Sequence, residues 1–214
     1  MVSSEYESMK LLYSVVPEMV AEPLAWGPYK EEPDTYFFVC RFRKLSDDIP
    51  SLSDFPALVA EMHKRGVSKT GEFGFPLKTF GGRNAMHFPT SRSWEDCFSR
   101  GIAGLFDSEE ETQGSDDEMR EPREGVMTKI IPRLLRPLET EGRTLTPQLV
   151  HGDLWDGNTS VDVKTGNPMI FDGTPLYAHN ECQSPSLSPP LLSEQPPQEI
   201  ARASRPDTNT DFSR

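Results

Sequence analysis

The stretch "LVHGDLWDGN", residues 149–158, decides how the rest of the chain is read. It sets His151, Asp153, Asp156 and Asn158 among the glycines Gly152 and Gly157, directly after the apolar pair Leu149-Val150. Such a run is either an exposed polar turn or a loop that handles a phosphate and its metal. The residues on either side favour the loop. "TSVDV" (159–163), the turn "KTGN" (164–167) and "PMIFDG" (168–173) read as strand, turn and strand. "PQLV" (147–150) is a strand leading in. A hairpin returns the chain to its own start, so Asp172 is expected beside Asn158 despite their separation in sequence.

That arrangement suits phosphoryl transfer. Magnesium is a hard cation that takes one or two carboxylate or amide oxygens and fills its shell with phosphate and water. A separate carboxylate must orient the attacking hydroxyl and take its proton. Asn158 and Asp172 are the candidate metal ligands, and Asp153 is the candidate base. Protein kinases write the same order as H-R-D, four residues, Asn, and later D-F-G. Here His151-Gly152-Asp153 is followed by four residues, Asn158, and then Asp172-Gly173. Gly152 stands where that pattern has Arg. His151 on its own reads as a structural hydrogen-bonding group rather than a catalyst.

Upstream, "SSEYESMKLLYSVV" predicts a helix capped by Ser3 or Ser4, with Met9, Leu12 and Val16 at helical spacing and Pro17 as its stop. "LAWGPY" and "TYFFVCRF" predict two antiparallel strands around a Pro-Asp turn. "SLSDFPALVAEMHKRG" predicts a helix capped at Ser53 or Asp54, with Leu58, Val59 and Met62 apolar and Gly66 as stop. "GEFGFPLKTFGGRN" is expected to be loop. "SRSWEDCFSRGIAGLF" predicts a helix with Trp94, Phe98, Ile102 and Phe106 on one side. The acidic run "DSEEETQGSDDEMREPRE" reads as a solvated loop or the edge of a helix. "GVMTKIIPRLLRPLETEG" resumes a helical pattern, kinked or started near Pro132. From about Gln183 the Ser, Pro and Gln content predicts a disordered tail.

Bulk properties narrow the function classes. The 214 residues allow one domain, or one domain and a tail. Apolar content of 35% with 20 prolines is low for a wholly packed chain. A net charge of −12 argues against nucleic acid and against an anionic membrane surface. Cys40, Cys97 and Cys182 form neither a disulfide framework nor a zinc spacing. "MVSSEYESMK" has no apolar signal-peptide core, and no run approaches membrane-spanning length. The expected setting is cytoplasmic.

"HGDLWDGN", followed by "IFDG" and "YAHNE", resembles the fructosamine and ketosamine 3-kinase family. The choline and aminoglycoside phosphotransferases share the Asp-to-Asn core but usually lack the Trp and the later "YAHNE". The resemblance runs from about Glu5 to Glu181 and includes "GEFGFPLKTFGG" and "SWEDCF". It implies an α+β, protein-kinase-like fold of two lobes. Residues 1–45 would be a partial N-lobe and hinge, 46–182 a partial C-lobe with the catalytic loop, and 183–214 a disordered Ser/Pro-rich tail. It implies ATP and Mg2+ as cofactors. The implied activity is phosphorylation of the sugar 3-hydroxyl of ribulosamine or fructosamine adducts, on glycated protein lysines or small ketosamines. Carried over residue by residue, Asp153 is the catalytic base, and Asn158 and Asp172 hold magnesium. Glu7, or nearby Glu5, is the helix glutamate that pairs the ATP lysine. The backbone around Arg41, Phe42 and Arg43 contacts adenine, and Trp155 lines the sugar pocket.

Two departures from the family pattern matter. No G-x-G-x-x-G and no strand lysine precede the helix glutamate, and Lys10 lies within the helix. After "HNE" a Ser/Pro-rich run stands where the family continues into helices. The expectation is a chain truncated at both ends. The alternatives are therefore a catalytically inactive pseudokinase or fragment, and a phosphotransferase for another small hydroxyl compound.

Overall fold

The computed structural model describes residues 1–51 and 53–183. The expected tail lies outside them, apart from its first residue, Gln183. The chain opens with helix α1 (Val2–Val15), whose N-cap is Met1 with no side-chain cap. The expected Ser3 or Ser4 cap does not form. The helix starts before both residues, and Ser4 Oγ instead donates to the Lys78 carbonyl at 2.6 Å. Met9, Leu12 and Val16 are buried as their spacing predicts. Strands β1 (Pro23–Pro28) and β2 (Tyr36–Cys40) pair antiparallel, with Trp26 opposite Phe38 and a register shift between Pro23 and Ala25.

Helix α2 (Phe55–Arg65) comes next, with Asp54 at its N-cap but no side-chain cap bond. It ends at Gly66, where the predicted stop has a packing reason. A Cβ on Gly66 would lie 2.6 Å from Leu149 Cβ, and Leu149 N–H donates to the Gly66 carbonyl at 2.7 Å. The stretch expected to be loop contains a small hairpin, β3 (Thr79–Gly81) and β4 (Asn84–Met86). Gly82, at φ +60°, makes its turn.

Helix α3 (Trp94–Gln113) is longer than predicted and buries Trp94, Cys97 and Gly101, with Phe98 beside them. The acidic run is helical over most of its length, broken only around Gly114 at φ +92°. It continues as α4 (Asp117–Gly125), which Arg123 ties to Asp107 and Glu110 of α3. A π turn (Val126–Ile130) then leads into the short α5 (Ile131–Leu135). The Ile131 N–H reaches back to the Val126 carbonyl there, which accommodates Pro132, a residue with no N–H to continue the ladder. The Glu139 carboxylate returns to the start of α3, accepting from Trp94 N at 2.9 Å and Glu95 N at 3.1 Å. An anion is favoured at that helix end.

The last four strands are β5 (Gln148–Val150), β6 (Thr159–Val161), β7 (Pro168–Ile170) and β8 (Leu176–Ala178). β6 and β7 form the predicted hairpin, and β5 pairs antiparallel with β8. Two apolar clusters meet at β5. Leu149 packs with Leu12, Val59, Met62, Leu154 and Ile170. Its neighbour Val150 packs with Phe73, Trp94, Cys97 and Leu176. Successive side chains on a strand point to opposite faces, so this three-residue strand is the wall between two cores. The critical loop grows directly from its end. All three cysteines are free, and among the described residues no helix is long and apolar enough to cross a membrane.

Candidate active site

At the end of β5 the chain turns sharply at Gly152, with φ +82°. A Cβ there would lie 2.1 Å from the Thr174 carbonyl oxygen. No side chain fits, which explains why Gly stands where the protein-kinase pattern has Arg. His151, just before it, is wholly buried and acts as a bracket. Its Nε2 bonds the Phe171 carbonyl at 3.1 Å, and its own carbonyl accepts from Thr174 N–H at 2.9 Å. Burial pushes its imidazole down to about 4, so it stays neutral. This is the structural role read from the sequence.

Asp153 is partly exposed, while Leu154 drops into the first core and anchors the loop. Asn158 is buried, and its Nδ2 donates to the Asp153 carbonyl at 2.8 Å and to Asp153 Oδ2 at 3.1 Å. The amide thus fixes the carboxylate, and its own oxygen is left as the atom a cation would use. Trp155 is 39% exposed, and its ring lies across Gly157, where a Cβ would meet it at 2.3 Å.

The hairpin brings Asp172 back as expected. Phe171 N–H donates to the Asn158 carbonyl at 3.1 Å, which sets Asp172 one residue from that link. Asp172 has φ +56°, a conformation uncommon for a residue with a side chain and concentrated at functional turns. Next to it, Gly173 lies against Leu12 and His151, leaving little space for a Cβ.

Asp172 opens onto a cleft of about 170 Å³, lined also by Ser4 and Glu5 of α1 and by Thr79 and Phe80 of the β3–β4 hairpin. Glu5 faces this cleft. Glu7 does not line it, but sits on the outer side of α1 and pairs with Lys10 at 3.8 Å. Burial, and then the charge of Asp172, raise the Glu5 carboxyl above its ordinary value. No Lys or Arg is among the described residues that line the cleft.

The segment expected to meet adenine comes directly after β2. Arg41 Nε bonds Glu22 at 2.7 Å, and Phe42 is 86% exposed. Arg43 approaches the buried Asp162 at 3.4 Å. The Asp162 carboxyl also accepts from Lys164 and Thr165 N–H groups, which hold it below the usual carboxylate range. Both arginine side chains therefore tie the segment down rather than reach into a pocket.

Magnesium fits the donor set here. Asn158 and Asp172 offer an amide and a carboxylate oxygen, the hard ligands that ion takes in small number. Among the described residues no three His, Cys, Asp or Glu side chains cluster as a metal site, so an all-protein cage is not what this site offers. The cleft is smaller than the ~300 Å³ or more typical of whole-ligand pockets. Sequence reasoning missed two contributors. The β3–β4 hairpin was signalled by "GGRN" between apolar runs, and Gln183, whose side chain accepts from the His151 N–H, has no sequence signal.

Comparison with known proteins places these features in context. The fructosamine kinase family model matches residues 1–186. A rice protein named protein-ribulosamine 3-kinase, chloroplastic, is 32% identical over 126 residues, 58% of this chain and 34% of that one. A mouse protein named ketosamine-3-kinase is 34% identical over 111 residues, 51% of this chain and 33% of that one. The chain thus spans about a third of the curated relatives it matches. A solved chain from Haemophilus somnus 129PT, whose name assigns it provisionally to the fructosamine-3-kinases, superposes with a TM-score of 0.64. That match covers 95% of this chain and 63% of the other at 17% identity, and shows the shared protein-kinase-like fold.

Proposed function

The chain belongs to the fructosamine kinase family, and from that premise we propose that it transfers phosphate from ATP to the sugar 3-hydroxyl of a ribulosamine or fructosamine. The carrier would be a glycated protein lysine or a small ketosamine. The reading rests on one observation above all. The Asn158 amide clamps the Asp153 carboxylate, and after the β6–β7 hairpin Phe171, the residue before Asp172, bonds the Asn158 carbonyl.

In this reading Asp153 orients the sugar hydroxyl and accepts its proton. Asn158 has two tasks: its NH2 fixes Asp153 and its oxygen serves the metal. Asp172 supplies the second metal oxygen from its left-handed turn. Magnesium–ATP, when bound, supplies the phosphoryl group and a cation to offset its charge. Glu5 takes the helix-glutamate role in place of Glu7, because it is the one that faces the cleft. The backbone at Arg41, Phe42 and Arg43 would meet the adenine. Trp155 presents an exposed face on which an apolar sugar surface stacks. Residues 1–45 and 46–182 would be the two lobes.

A second reading has its own support. Two carboxylates, Glu5 and Asp172, face the cleft with no basic side chain among its described lining. Clamping of the phosphates is a large part of phosphoryl-transfer catalysis. A chain that carries the signature without turnover, a pseudokinase or fragment, fits that electrostatics.

Magnesium-dependent ADP release with a ribulosamine, beside an Asp153→Asn control, separates the two. Turnover that falls by about 10²-fold or more in the control supports the kinase. Equal ADP release in both proteins sinks the assignment of Asp153, and none in either favours the second reading. Release with other small hydroxyl compounds but not with ketosamines would move the substrate class.

A further inference from the structure

Past Val150 the β5–β8 ladder ends, since Val150 opposite Leu176 is its last pair. The next residue, His151, is wholly buried, and its backbone N–H needs a partner. No strand supplies one. The N–H donates instead to the side-chain oxygen of Gln183, which is itself only 4% exposed. The same side chain also reaches the imidazole of His63, a wholly buried residue on the inner face of α2.

We propose that Gln183 is a positioning residue for the catalytic loop, tying its first residue to α2 through the His151 N–H and the His63 imidazole. Asp153 lies two residues beyond that N–H, with Gly152 wedged against Thr174 between them. The far end of the loop is held independently, by Leu154 in the core and by the Asn158 clamp. Gln183 completes the bracket at the near end. Its chemistry suits the place. An amide accepts from a backbone N–H and serves a neutral imidazole without adding charge. Burial pushes both His63 and His151 down to about 4, so both stay neutral around this amide. A carboxylate would satisfy the same N–H but would favour protonation of His63.

The consequence for turnover rests on the kinase reading above, whereas the consequence for the backbone does not. The experiment is amide hydrogen exchange on the full chain, comparing Gln183→Ala, Gln183→Glu and Val59→Ala. Val59→Ala removes core volume from the same helix, α2, without removing any hydrogen-bonding group of the network. The readout is His151 exchange relative to Leu149, whose N–H is held separately by Gly66. Gln183→Ala should raise that ratio about tenfold, the scale of one lost hydrogen bond. Gln183→Glu should keep it near the parent value, and Val59→Ala should leave it unchanged. In the ribulosamine assay Gln183→Ala should lower kcat about tenfold with the KM for ATP unchanged, and Gln183→Glu should restore most of it. A protected His151 amide in Gln183→Ala, or an equal rise in Val59→Ala, overturns the proposal. If the parent itself shows no turnover, the kinase reading fails while the exchange ratios still decide the role of Gln183.

Discussion

The two sides of Asp172 are built on different principles. On the loop side the chain is pinned at several points. His151 is bonded at Nε2, at its carbonyl and at its N–H, Asp153 is clamped by Asn158, and Leu154 is sunk in the core. On the cleft side two carboxylates face a space with no Lys or Arg among its described lining. One side has its catalytic-loop backbone and the Asp153 carboxylate held from within. The other presents two carboxylates whose mutual repulsion a bound cation relieves. Rigidity and readiness for a ligand are thus separated by a single residue at φ +56°.

Acid should split the two sides most strongly. His63 and His151 have folded values of about 4, below the ordinary ~6.5, so the unfolded chain binds more protons than the folded one between those limits. Their contribution is full above about pH 6.5 and is lost as pH falls toward 4, on the order of 3 kcal/mol for each imidazole. The raised Glu5 works the opposite way, favouring the folded state as pH falls and the carboxyl protonates. Urea unfolding at a series of pH values should therefore show a steep loss of stability below pH ~6. A flat profile from 6.5 to 4.5 would mean that the histidines are not buried neutral.

Gly152→Ala comes next in size. Its Cβ meets the Thr174 carbonyl, and the left-handed backbone adds strain, so a loss of about 2–4 kcal/mol is expected, with disorder centred on Asp153. Unchanged thermal stability in that variant would show that the loop is looser than its hydrogen bonds imply.

The smallest effect concerns the cleft. Glu5→Gln removes a charge facing Asp172 and should weaken magnesium–nucleotide binding by roughly two- to fivefold, at little cost in stability. Glu7→Gln breaks only an exposed pair with Lys10 and should change neither. Calorimetric titration that ranks Glu7→Gln above Glu5→Gln would return the helix-glutamate role to Glu7.

The choice between those glutamates shows what the sequence could carry. Met9, Leu12 and Val16 define the buried stripe of α1, and Glu5 lies four residues before Met9 on the same stripe. Glu7 is about half a turn away. The phase was present in the residues, but motif matching alone does not use it. The catalytic hairpin was legible for a different reason. Its strands are short apolar runs cut by Gly and Asn turns, and a hairpin's geometry brings its ends together without tertiary information. The β3–β4 hairpin was hidden because glycines signal loop and turn alike. Trp94 and Phe98 of α3 face the core as predicted, and Cys97 and Gly101 are buried beside them. Gly101 is buried there because Phe88 packs onto it, and a Cβ would meet that ring at 2.1 Å. The Gln183 link joins residues 120 positions and 32 positions apart in the chain, since it reaches both His63 and His151. Nothing local in sequence announces such a meeting.

Strand β5 carries one last consequence. Its neighbouring side chains belong to opposite cores, and the loop bearing Asp153 begins where the strand stops. Mechanically it is an axle. If the packing on one side swings relative to the other, points far from β5 travel most and points on its line travel least. Asp153 follows the strand by three residues, so any such swing would move the outer walls of the site more than this carboxylate.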